Sequence, residues 1–367
     1  MNSARAAVQT AARELELREF DLPESIGDGE ALLKVEGCGI CGADYERYTG
    51  GMDDSDLFEY PVIVGHEPVG RIERIGPDAS ERWGVTEGDR VAVEPFAPCG
   101  VCENCTAGEY TICNQRFIYG TTSTTVGEGL WGGFADYMLL RPGTLVHELS
   151  PDLSIEDAVM FNPLGAGYEW VCQAGDVGVG DSVLIMGPGQ RGLSSVIAAN
   201  DAGASPILVT GLPEDEPRLD LAERLGATET VNVVQDDLQE RVAEATDGRG
   251  VDTVVDTTPG ATAPVLDGIE AVRRGGTVVL AGTKDMAEVD GFVSDQLVLN
   301  NIRIEGTLGT RAWSFDRAID AIESETYPLE EFHTHTLPID DLERALRLQG
   351  GDVEDESAFH ITIVPEA

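Results

Sequence analysis

At 367 residues, 42% of them hydrophobic, the chain is long enough for two ordinary packed domains, and no apolar run is long enough to span a bilayer. Its 67 acidic residues against 24 Lys and Arg give a formal net charge of −43. That balance argues against nucleic acid and anionic membranes as partners, since phosphate contacts need a basic face.

The carboxylates are spread along the whole chain, and Lys34 and Lys284 are the only lysines. This pattern predicts a halophilic adaptation. Salt at 1 M shortens the Debye length to about 3 Å and screens self-repulsion. The first residues, MNSARAAVQTAARELELREF, lack the apolar stretch of a signal peptide, so a cytoplasmic protein is expected. Six of the seven cysteines fall within the first 113 residues at short spacings, which in a cytosolic chain suggests metal before disulfide.

From the N-terminus, 31–37 (ALLKVEG), 61–64, 69–75 and 88–95 (GDRVAVEP) read as short strands bounded by glycine and turn residues, so the first 150 residues look β-rich. Between these strands lie GCGICGAD at 37–44 and GHEP at 65–68. Cys41, His66 and Glu67 offer one sulfur, one nitrogen and one oxygen. Three protein ligands with a fourth position open is the arrangement of a catalytic zinc, a Lewis acid for an alcohol oxygen. Each also has a plainer reading: Cys41 as a small core residue, His66 as a turn residue, Glu67 as a solvated carboxylate. His66 and Glu67 are adjacent, so both reach one metal only through an unusual turn.

The lobe at about 95–115 carries Cys99, Cys102, Cys105 and Cys113, in the pattern C-x2-C-x2-C-x7-C. Four thiolates on one loop close a tetrahedral site, so a structural zinc is expected; an iron–sulfur cluster uses the same number.

After about residue 167 the pattern changes. The segment 181–187 (DSVLIMG) reads as a buried strand, 191–204 as an apolar-periodic helix, and 206–211 (PILVTG) as the next strand. A helix at 218–227 and strands at 251–258 (VDTVVDTT) and 275–282 (GGTVVLAG) continue the alternation of a doubly wound parallel sheet. Gly187, Gly189 and Gly192 form G-x-G-x-x-G between a strand and a helix, the context in which that motif binds a dinucleotide pyrophosphate. Where an NAD site usually has an acid after the second strand, this chain has Gly211. Arg218 could meet a 2′-phosphate, while Glu214, Asp215 and Glu216 stand close by. The balance leans slightly to NADP over NAD. Two helical stretches, 314–324 and 340–349, and a strand, HITIV, close the chain.

The elements GCGICGAD, VGHEPVG, GDRVAVEP, the four-cysteine lobe, GGFADYMLL, the glycine fingerprint, VVDTT and GGTVVLAG run in one order over nearly the whole chain. In that order they resemble the zinc-containing medium-chain dehydrogenases, in the sorbitol, threonine and glucose dehydrogenase branch. The resemblance implies an α/β protein: a GroES-like β-rich catalytic domain (1–167 and 308–367) interrupted by a Rossmann domain (168–307). It assigns Cys41, His66 and Glu67 to a catalytic zinc and the four lobe cysteines to a structural zinc. Asp44 matches the family's carboxylate that orients a ligating histidine.

Three positions depart from the family. Asn162 stands where the polyol branch has Glu near or on the zinc. Ala43 replaces the hydroxyl that passes the substrate proton, and Glu46 replaces the relay histidine, so that Tyr45, Glu46 or a water chain would take over the proton path. The activity implied is hydride transfer between a secondary alcohol, polyol or sugar hydroxyl and NAD(P), in a homo-oligomer, dimer or tetramer. Two rivals remain at this point: a zinc-free quinone or enoyl reductase, whose relatives lack the zinc ligands, and a non-catalytic nucleotide sensor.

Overall fold

The computed structural model describes residues 3–51 and 58–365 and divides into two units. One runs to Asn162 and resumes at Ile319; the other is Pro163–Ala318.

In the first unit, strand Ala31–Gly39 is the organising element. It pairs antiparallel with Pro68–Ile75 and with Tyr137–Leu140, and its end takes the C-terminal strand His360–Val364. Leu32 and Leu33 are both buried, because the strand lies between core on both faces. Val35, Ile63, Ile72, Val91, Leu130 and Met138 pack with them. A second core gathers Ile40, Val64, Phe134, Leu342, Leu346 and Ile361, and so joins the C-terminal helix Leu342–Gln349 to the segment carrying Cys41. The N-terminal strands Ser3–Ala11 and Glu14–Asp21 form a hairpin in a separate sheet with Val62–Ile63.

The second unit holds a parallel six-stranded sheet in the order Glu229–Asn232, Ile207–Gly211, Val183–Met186, Val251–Asp256, Val272–Leu280, Arg303–Gly306. The sequential run reverses between Val183–Met186 and Val251–Asp256, which is the doubly wound order with its switch point beside the first strand. Strand Val183–Met186 is buried at every residue, as a strand covered on both faces requires. Helices Gln190–Asp201, Glu216–Arg224, Leu238–Ala245 and Ala263–Ala271 alternate with the strands.

Candidate active site and metal centres

Cys41 lies two residues beyond strand Ala31–Gly39 and is the N-cap of helix Gly42–Thr49. Its backbone N–H donates to Asp44 Oδ2 at 3.0 Å, so the third residue of the helix closes the turn that presents the thiol. The other oxygen of Asp44 accepts from His66 Nδ1 at 3.1 Å and from Arg47 Nη1 at 3.2 Å. Arg47 Nη1 is also 3.2 Å from His66 Nδ1. Cys41, Asp44, Arg47, His66 and Glu67 are all buried.

Burial works against ionised Asp44, but His66, Arg47 and the Cys41 N–H outweigh it and hold its pKa below the usual range. Burial likewise lowers His66, yet the Asp44 charge and hydrogen bonds to Asp44 and Cys41 raise it to about 10. With Nδ1–H given to Asp44, Nε2 is the nitrogen left to face a metal, which would displace its proton. That nitrogen lies 3.9 Å from Glu67 Oε1. One donor atom each from Cys41, His66 and Glu67 falls within 4.8 Å of the others. Gly65, at φ +92°, makes the turn that lets two adjacent residues converge, and Phe134 packs against its bare Cα. A thiol, an imidazole fixed in the right tautomer and a carboxylate make a donor set that fits zinc.

Glu46 and Asn162, two of the departures from the family, and the aromatic residues Tyr45 and Trp131 each sit in their own surroundings. Glu46 is half-buried on helix Gly42–Thr49, with Cγ against Gly51. Asn162 is buried near the start of helix Phe161–Tyr168. The Tyr45 hydroxyl donates to Asp352 Oδ2 at 2.8 Å, which commits it to the C-terminal segment. Trp131 is a core residue, its indole N–H bound to the Val126 carbonyl. Arg47, which braces Asp44 and through it His66, was not singled out from sequence. Its signal was the i, i+3 spacing to Asp44 on a short helix.

In the cysteine lobe, Cys102 Sγ is 3.4 Å from Cys105 Sγ and 3.9 Å from Cys113 Sγ, and Cys99 Sγ is 3.9 Å from Cys105 Sγ. Zn–S bonds of about 2.3 Å set tetrahedral sulfurs about 3.8 Å apart, so the lobe has the size of a zinc site. Backbone N–H groups of Cys102 and Gln115 donate to Cys99 Sγ and Cys113 Sγ, as thiolates require. Hydrogen bonds from the backbone of Asn114 and Cys105 lower the Cys102 pKa to about 6. Tyr110, inside the lobe, donates to buried Glu94, which also pairs with His147.

In the second unit, Gly187 turns at φ +93°. Gly189 caps helix Gln190–Asp201, and nothing lies within 4 Å of where its Cβ would be. A Cβ on Gly192 would sit 1.9 Å from the Gly187 carbonyl oxygen. The space at Gly189 is open to a phosphate, and the helix N-terminus faces it. Gly211 ends strand Ile207–Gly211, and a Cβ there would lie 3.1 Å from Leu219 and 3.2 Å from Asp215. Arg218 Nη1 donates to Asp215 Oδ1 at 3.0 Å.

Comparison with known proteins gives a consistent picture. Residues 27–152 match the alcohol dehydrogenase GroES-like domain, and 192–324 match the zinc-binding dehydrogenase family. A probable alcohol dehydrogenase of Mycobacterium tuberculosis is 41% identical over 98% of both chains. The sorbitol dehydrogenase of Bacillus subtilis is 32% identical over 94% of both. An alcohol dehydrogenase structure from Thermotoga maritima superimposes with a TM-score of 0.86 at 27% identity, covering 99% of this chain and 100% of that one.

Proposed function

The chain belongs to the zinc-dependent medium-chain dehydrogenases, enzymes that pass hydride between an alcohol and NAD(P), and from that premise we propose how its own residues divide the work. Cys41, His66 and Glu67 hold the catalytic zinc, and Cys99, Cys102, Cys105 and Cys113 hold the structural one. The observation that carries the first assignment is the convergence of three unlike donors, with Asp44 fixing the histidine tautomer. Zinc bound there supplies Lewis acidity to a substrate hydroxyl.

Around it the protein positions and deprotonates. Asp44, braced by Arg47, orients His66. Asn162 offers a neutral amide, in place of a carboxylate, to the substrate side. With Ala43 lacking a hydroxyl and Tyr45 committed to Asp352, Glu46 is the residue that takes up the substrate proton. Gly187, Gly189 and Gly192 receive the pyrophosphate of the cofactor. The absence of a side chain at Gly211, with Arg218 nearby, favours NADP. The substrate is a secondary alcohol, polyol or sugar.

A cytoplasmic location fits cysteines that serve as metal ligands rather than as disulfides; among the described residues no helix is long and apolar enough to cross a membrane. A homo-oligomer would cover the open edge of strand Arg303–Gly306 and the neighbouring Val298 and Leu299, 73% and 78% exposed. Light scattering reads that state directly.

Zinc-loaded protein screened against sugars, polyols and secondary alcohols, with NAD⁺ and NADP⁺ in molar KCl, tests the activity. Cys41→Ser and His66→Ala should abolish turnover while dinucleotide binding persists. Wild-type turnover in either variant refutes the site assignment.

A further inference from the structure

Lys284 is one of two lysines in a chain that otherwise draws its cationic side chains from arginine. Its ammonium is almost buried, with side-chain exposure of 12%, and pairs at 2.9 Å with Asp256 Oδ2, which is fully buried. It also donates to Thr258 Oγ1 at 2.9 Å and to the Thr258 carbonyl. Asp256 Oδ1 in turn accepts from the Thr258 N–H at 3.0 Å and from its hydroxyl at 2.5 Å. Three acceptors converge on one nitrogen. A compact ammonium donates to both Thr258 oxygens and pairs with the Asp256 carboxylate by charge, whereas a planar guanidinium spreads its donors over a fork. That geometry accounts for lysine at this position in a chain that draws nearly all its cations from arginine.

A buried ion pair costs desolvation that its attraction barely repays, so stability alone is a weak reason for it. Its place in the sheet supplies a better one. Asp256 ends strand Val251–Asp256, the first strand beyond the switch point, and Lys284 follows strand Val272–Leu280. The two loops are locked together: the Gly260 N–H donates to the Thr283 carbonyl at 2.8 Å, and a Cβ on Gly282 would lie 2.4 Å from the Thr258 carbonyl oxygen. They also abut the glycine turn. Thr257 Oγ1 contacts the Met186 and Gly187 carbonyls at 2.9 and 3.1 Å, and Thr258 Cγ2 is 3.0 Å from where a Gly187 Cβ would stand. In a doubly wound sheet ligands lie outside the carboxyl ends of the strands, and each half of the sheet serves one half of a dinucleotide. The glycine turn and Gly211 belong to the half built on Val183–Met186 and Ile207–Gly211. Thr257–Thr258 and Gly282–Lys284 belong to the other half, which faces the nicotinamide.

We propose that Lys284 is a positioning residue for the nicotinamide half of the bound dinucleotide: through Asp256 and Thr258 it fixes the paired loops that wall this half of the site. The proposal rests on reading the Gly187–Gly192 turn as the dinucleotide site. The test is calorimetric binding of the reduced dinucleotide, and of its adenosine-side fragment, to zinc-loaded wild type, Lys284→Met, Lys284→Arg and Thr258→Val. The fragment is ADP, or adenosine 2′,5′-bisphosphate if NADPH binds more tightly than NADH.

Both Lys284 variants should bind the dinucleotide about tenfold more weakly, with fragment affinity changed less than about twofold. Arginine should not rescue. Thr258→Val, which removes only the hydroxyl partner, should lose about threefold on the dinucleotide alone; it carries the test should the Lys284 variants fail to fold. Equal losses for dinucleotide and fragment, or no loss, overturn the positioning role. A wild-type protein that binds no dinucleotide overturns the reading of the turn itself, and this inference with it.

Discussion

A single methyl group, added in turn at two glycines of the nucleotide turn, should separate folding from cofactor binding. At Gly192 the new carbon would stand 1.9 Å from the Gly187 carbonyl oxygen. Carbon–oxygen contacts close to no less than about 3.3 Å, so turn and helix must part by about 1.4 Å. The obstacle is backbone and cannot swing aside. Overpacking of that kind costs about 1–3 kcal/mol, a fall of several degrees in melting midpoint at about 2–4 °C per kcal/mol. At Gly189 the backbone, φ −66° and ψ 174°, suits any residue, and nothing lies within 4 Å of the added carbon. Alanine there gains about 0.4–1 kcal/mol in chain entropy and loses a similar amount as a poorer N-cap. Gly189→Ala should therefore melt within a degree or two of wild type. The same methyl occupies the space left for a pyrophosphate, so dinucleotide affinity should fall at least about tenfold, or about 1.4 kcal/mol. Thermal unfolding and titration calorimetry read the two effects separately. Wild-type affinity in Gly189→Ala, or a wild-type melt in Gly192→Ala, refutes the geometry.

Cys102→Ser should remove one zinc per chain by elemental analysis and lower the melting midpoint, because the closed ligand set stabilises only the folded lobe; full zinc content with an unchanged melt would remove the structural assignment. Glu46→Gln should slow alcohol oxidation about a hundredfold or more and displace its pH profile, with dinucleotide affinity unchanged; an unaltered profile means that the proton leaves by another route. The net charge of −43 should make the melting midpoint rise with KCl into the molar range, and a midpoint that stays flat or falls would discount salt adaptation.

The features legible in the sequence are those whose partners lie close along the chain. The four lobe cysteines span 99–113, and Gly187, Gly189 and Gly192 fit within one turn, so spacing alone suggests a closed ligand set and a phosphate cradle. What the sequence concealed depends on distant segments. Tyr45, one candidate for the proton path, is bonded to Asp352, 307 residues away. Glu94 binds both Tyr110 and His147, tying the cysteine lobe to the sheet. Glu169 receives Arg311 and Ser314 from 142 and 145 residues on. Such pairings arise only when separate parts of the chain come together, and no local periodicity announces them. Gly211 is an intermediate case: its missing acid was visible, but the crowding by Leu219 and Asp215 was not.

The return of the chain to its first unit has a consequence for synthesis on the ribosome. Strand His360–Val364 pairs with Cys38 and Gly39 on one side and with His333–Pro338 on the other, and the helix Leu342–Gln349 packs beside Ile40. The residues that shelter the backbone next to Cys41 thus emerge long after Cys41 itself. The cysteine lobe, complete by Cys113, can take its metal while most of the chain is still unmade, and the Pro163–Ala318 unit can close as one uninterrupted stretch. Closure around the Cys41, His66 and Glu67 cluster must wait until strand His360–Val364 has been made, so on the proposed ligand assignment the two sites would fill at different stages of synthesis.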